Sequence, residues 1–151
     1  MSVTGIWTDI TSSFDDFLEN TLTGTTTTFR VSPVINVKST AYADSIFNGA
    51  YSIFFEGAEE TKANIQSKLF PVYNIRVDIA FSVKNRTVYY QVLEDVEQII
   101  RQRVEPATWS DYSTLIHIRH TDTTIPEFID GDQENRLVVS IRFKVRGIIN
   151  R

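Results

Sequence analysis

The chain has 151 residues, 42% of them hydrophobic and 23% charged, and a formal net charge of −4. That length suits one domain with one core, and the composition argues against wholesale disorder. There is no cysteine, which excludes disulfide scaffolds, thiolate metal sites and cysteine nucleophiles.

The charge is uneven along the chain. Residues 1–60 carry 8 acidic and 2 basic side chains, and residues 61–151 carry 11 acidic and 13 basic. An acidic total is a poor basis for neutralising phosphates, so no specific nucleic-acid binding is expected. The N-terminal stretch has acids where a signal peptide has bases, and no window approaches about 18 apolar residues. Neither a leader nor a membrane span is expected.

Ile6, Ile10, Phe14, Phe17 and Leu18 recur at spacings of three and four. This predicts an amphipathic helix over about 6–20, with Thr4 or Thr8 as N-cap and Gly24 as its stop. Residues 21–49 contain the threonine run Thr25 to Thr28, Pro33, Asn36, Asn48 and Gly49. Short strands are possible at 29–32 and 34–37; otherwise this reads as a long polar arm.

Tyr51, Ile53 and Phe55 mark a strand ended by Gly57, and 58–68 reads as a loop or short surface helix. The clearest signal is Tyr73, Ile75, Val77, Ile79, Phe81 and Val83, six apolar residues at a period of two. That is a strand with one buried face.

Asn85 or Thr87 then caps a helix of about 18 residues. Val88, Val92, Val96, Ile99 or Ile100, and Val104 form its buried stripe, with Leu93 beside them. Glu94, Glu97, Arg101 and Gln102 lie outside, Glu97 and Arg101 as an i,i+4 pair. Pro106 ends the helix. A strand at about 113–120 and a polar acidic loop, 121–135, come next. The last strand places Leu137, Val139, Ile141, Phe143 and Val145 on one face, and Arg142, Lys144 and Arg146 on the other. The order predicts an α+β fold: a mixed or antiparallel sheet of four or more strands with two main helices on one face. No internal repeat is visible.

No cofactor or metal constellation emerges. His117 and His120, three apart on a strand, point to opposite faces and cannot easily share a metal. Asp130 to Asn135 resembles a calcium loop only superficially, because position 6 is Asn135 and position 12 is Ile141. The basic stripe Arg142, Lys144, Arg146, extended by Arg76 and Arg119, reads first as a solvated sheet face and second as a protein interface. A nucleic-acid platform would need aromatic partners on the same face.

The element order and several local patterns resemble the tail terminator proteins of long-tailed bacteriophages, also called tail completion or minor tail proteins of the neck. The resemblance is carried by the N-terminal helix, the variable polar stretch, the strand Ala50-Tyr51-Ser52-Ile53-Phe54-Phe55-Glu56-Gly57, and the closing segment Asn135-Arg136-Leu137-Val138-Val139-Ser140-Ile141-Arg142-Phe143. It implies a structural, non-enzymatic virion protein of the tail or neck, assembled in the host cytoplasm. Such a protein forms a ring, typically a hexamer, on the head-proximal end of the tail tube. The ring stops polymerisation and docks the head-tail connector. The implied partners are further copies of itself, the tail tube protein and the connector. The candidate interface residues are Arg30, Asp122, Glu127, Asp130, Asp132, Glu134, Arg142, Lys144 and Arg146, and deletion of 25–47 is expected to weaken assembly while leaving the domain folded. The competing readings are another neck or tail-tube subunit, or a small-ligand enzyme using Asp78 or His117 as base.

Overall fold

The structure, a computed structural model, describes residues 5–38, 48–59, 64–65, 68–103, 114–127 and 136–150. Helix α1 (Ile6–Asp16) buries Ile10 and Phe14 and continues as a π-helical turn, Phe17–Thr21, that buries Phe17 and Leu18. The Leu22 N–H donates to the Phe17 carbonyl at 2.8 Å, the i to i+5 bond of a π turn. The N-cap differs from expectation. Thr8 lies within the helix and Thr4 outside the described residues, while Gly5 takes the cap in an extended conformation without a side-chain bond. The apolar pattern starts at Ile6, so the cap falls on residue 5, where glycine is tolerated. Leu22 is already extended, and Gly24 follows with φ of 78°.

The main sheet contains β1 (Arg30–Val31), β2 (Ala50–Glu59), β5 (Val72–Ser82), β6 (Leu115–Thr124) and β7 (Arg136–Gly147), in the spatial order β1-β2-β5-β7-β6. β1 runs parallel to β2 and the remaining neighbours are antiparallel. The fold is therefore α+β with a mixed sheet. A second sheet joins β3 (Asn64–Ile65), β4 (Lys68–Leu69) and β8 (Ile149–Asn150). This corrects the expectation of a loop or surface helix at 58–68. Residues 58–59 extend β2, and two-residue strands carry no periodicity that a sequence could display.

The period-two reading of β5 and β7 holds in space. Ile75 pairs with Phe143, Val77 with Ile141, Ile79 with Val139 and Phe81 with Leu137. All eight are buried and belong to one hydrophobic cluster. α2 (Arg86–Arg103) adds Val92, Val96 and Ile99 to it, and α1 adds Ile10 and Phe14. Asn85 is the cap of α2: its side-chain oxygen accepts the Val88 N–H at 3.0 Å. Val104 and Pro106 lie outside the described residues. The expected Glu97 to Arg101 pair does not form; Arg101 donates to Gln98 at 2.6 Å.

The predicted arm is the main correction. Residues 21–31 are docked rather than free. Asp95, on the buried face of α2 and only 2% exposed, accepts the Thr26 N–H at 2.9 Å on one oxygen. Its other oxygen accepts the Thr26 hydroxyl and the Thr27 N–H, both at 3.1 Å. Gln102, expected to face solvent, accepts the Thr23 N–H and donates to the Thr23 carbonyl. Phe29 is buried and meets Phe81 edge-on at 6.1 Å between centroids. Gly49 allows this closure. Its φ is 91°, and a Cβ there would lie 2.2 Å from the Thr28 carbonyl oxygen. Residues 34–37 are not a strand. Ser32 and Asn36 side chains accept the N–H groups of Val34 and Lys38, two local turns that compete with sheet pairing.

Candidate functional site: the open sheet face and its edges

The residues of β5 and β7 that alternate with the core set form a second face. Arg76 pairs with Arg142, Asp78 with Ser140 and Asn74 with Lys144. β2 contributes Ser52 and Phe54, and β6 contributes His117, Arg119 and Asp122. At one end Val37, Ala50 and Ala80 form a small apolar cluster of their own, against which Val138 packs.

Like charges opposite one another on a sheet repel, so Arg76 beside Arg142 requires an anion. Glu56 supplies it. One of its oxygens lies 3.0 Å from Arg76 Nη1 and the other 3.1 Å from Arg142 Nε. Glu56 occupies the irregularity between Phe55 and Gly57 in the β2 register, where Gly57 has φ of 130°. That bulge brings the carboxylate between the two guanidiniums. Arg142 also reaches Asp122 at 3.2 Å and the Thr124 hydroxyl at 3.0 Å. Lys144 bonds Glu59. Asp78 has no exposed surface; it accepts from Arg76 Nε at 3.1 Å and from the Ser140 hydroxyl at 2.7 Å.

The predicted basic stripe is thus a largely neutralised ladder. Of its members, Arg119 and Arg146 are exposed and form no ion pair among the described residues. Arg30 is exposed on β1. Asp122 is not in a loop, because β6 runs on to Thr124 and places it opposite Arg142. The expected acidic loop, 121–135, is therefore not one unit. Glu127 is exposed just past β6, and Asp130, Asp132 and Glu134 lie outside the described residues, as does the calcium-like segment from 130 to 135.

His117 pairs with Arg146 on the charged face, and His120 pairs with Phe143 on the core face. His120 meets Phe143 edge-on and hydrogen-bonds Thr123 at 2.8 Å. Among the described residues no group of three or more His, Cys, Asp or Glu side chains could hold a metal ion. Likewise, no described helix is long and apolar enough to cross a membrane.

Three features escaped the sequence reading. The first is the Asp95 clamp, whose signal was a carboxylate between Val92 and Ile99 on an apolar stripe. The second is Arg103, fully buried at the end of α2, whose guanidinium stacks over Phe14 at 4.3 Å and donates to the Ser13 hydroxyl at 2.7 Å. It ties α2 to α1 through a cation–π contact. The third is an apolar concavity of about 390 Å³ lined by Ile6, Trp7, Ile10, Phe55 and Tyr73. Trp7 and Phe55, 39% and 51% exposed, meet edge-on at 5.9 Å, and Phe55 lies 5.5 Å from Tyr73. Nearby, the Tyr51 hydroxyl donates to Asp15 at 2.8 Å. Burial and then that carboxylate push the Tyr51 phenol far above its usual 10.0.

No protein-family model and no curated protein matches the chain.

Proposed function

We propose that the protein is a structural subunit that forms a ring on the head-proximal end of a phage tail tube, stopping tube growth and presenting a docking surface to the head connector. The observation that carries this reading is the sheet itself. One face is committed to the core, while the other holds a paired charge ladder running from β2 to β6. A ring subunit needs such a rigid plate, with its two edges left for neighbours. The resemblance in element order to tail terminators supplies the identity of the assembly, and the non-enzymatic reading comes with it.

The enzyme reading has less to support it. Asp78, its candidate base, is held by Arg76 and Ser140 and has no exposed surface. A general base must reach the proton it takes. His117 is exposed but sits among cations at Arg119 and Arg146. Light scattering on the full chain, alone and mixed with tail tubes, tests the proposal. A mass of about six chains, in solution or only on tubes, is the expected result, following the closed symmetry of such rings. A monomer that leaves tube length unchanged contradicts it.

A further inference from the structure

The two edges of the main sheet differ in character. Beyond Tyr51 the outer side of β2 has no partner strand among the described residues, and neither does the outer side of β6. Between α1 and the sheet, with Phe55 of the outer strand β2 on its rim, lies the Trp7, Phe55 and Tyr73 concavity. Contiguous exposed aromatics of this kind mark interaction sites more often than bare surface. At the β6 edge, Ile116 is an exposed apolar residue, 45% accessible, set out of register between Leu115 and His117. A bulge re-aims a side chain in this way.

Charge differs between the edges in a complementary sense. Glu56 and Glu59 stand on β2, and Asp15, Asp16 and Glu19 on the helical segment whose Asp15 is bonded to β2 through Tyr51. His117 and Arg119 stand on β6, with Arg146 paired to His117. Part of the net acidity of residues 1–60, which carry 8 acids and 2 bases, thus lies on the β2 side; on the β6 side Asp122 is paired with Arg142 and Asp9 is bonded to Thr114.

The heights also match. Phe55 pairs with Ile75, Ile75 with Phe143 and Phe143 with His120; Ala58 pairs with Tyr73, Tyr73 with Val145 and Val145 with Ile118. Phe55 and Tyr73 of the concavity thus stand level with residues 118–120 along the strands, and Ile116 stands just below, beside the level of Arg146, Val72 and Glu59. Rotation about an axis parallel to the strands preserves that level and closes a ring, whereas an axial offset would generate an open helix.

We propose that copies of this chain associate head to tail, the β6 edge of one copy, through Ile116 and Arg119, seated in the Trp7–Phe55–Tyr73 concavity and acidic flank at the β2 edge of the next. The contact rests on the ring reading above and assigns its surfaces. It is made by side chains rather than by one continuous ladder, because bulges interrupt both edges, after Phe55 in β2 and around Ile116 and Thr121 in β6.

The absence of native cysteine allows a direct test on the full-length protein. The double variant Glu59→Cys/Ile116→Cys, oxidised, is expected to give a ladder of covalent dimers, trimers and longer chains, because Glu59 stands level with Arg146 and His117, next to Ile116, and a disulfide requires Cα atoms within about 7 Å. Each single variant stops at the dimer. Ile116→Asp and Arg119→Glu, both at exposed positions, are expected to lower the assembled fraction at least tenfold with unchanged circular dichroism. Wild-type rings whose double-cysteine variant gives no ladder, or full rings from Ile116→Asp, overturn this contact and leave the ring reading standing. A wild-type chain that stays monomeric alone and on tubes overturns both.

Discussion

Asp95 holds Thr26 and Thr27 from the buried face of α2. Its two oxygens accept both backbone N–H groups and the Thr26 hydroxyl, so one carboxylate fixes the threonine run against the helix. Removing it leaves two backbone donors near the core without partners. Asp95→Ala is expected to cost about 3 kcal/mol, since bonds to charged groups are the stronger ones and orphaned donors add their desolvation penalty. The urea midpoint measures this, and Asp95→Asn, which keeps one acceptor, should fall between the two.

The same contacts reverse the expectation for the polar stretch. Deleting 25–47 removes Phe29 from the core and the donors that satisfy Asp95. The deletion is expected to unfold the domain rather than merely weaken assembly. Phe29→Ala alone should cost about 3–4 kcal/mol, the range for a buried aromatic, seen as a lowered thermal midpoint.

Tyr51 gives a pH dependence. Its phenol is held protonated by burial and by Asp15. The folded state therefore binds that proton more tightly than the unfolded chain does. The contribution to stability is fully present below about pH 10 and is lost as pH rises past it. Between about pH 9 and 11 the wild-type urea midpoint should fall more steeply than that of Tyr51→Phe. In an ultraviolet titration this tyrosine should ionise last.

Arg142 is the hub of the ladder, bonded to Glu56, Asp122 and Thr124. All three ionic members are partly exposed, so each pair is worth little alone. Arg142→Ala is expected to cost about 1 kcal/mol, with most of the loss disappearing at high salt as screening weakens the network. A loss unchanged between low and high salt would mean that packing of the side-chain stem dominates.

The parts of this fold legible in the sequence were those with long periodicity. The alternation from Tyr73 to Val83 and from Leu137 to Val145 placed β5 and β7, and the Val92, Val96, Ile99 stripe placed α2. Each follows from burial of one face, which local spacing reports directly. Other features depend on residues distant in sequence. The Asp95 clamp spans 69 positions, and the Glu56 to Arg142 bond spans 86. A threonine run looks equally polar whether it is solvated or tied down. The basic stripe on β7 was read correctly as one face, but its neutralisation by β2 required the strand order, which places β5 between them.

The most direct test of the central claim is electron microscopy of tail tubes incubated with the full chain. The account predicts one ring of density at a single end of each tube, and tubes that no longer lengthen. Tubes that carry no added density and continue to grow would contradict it.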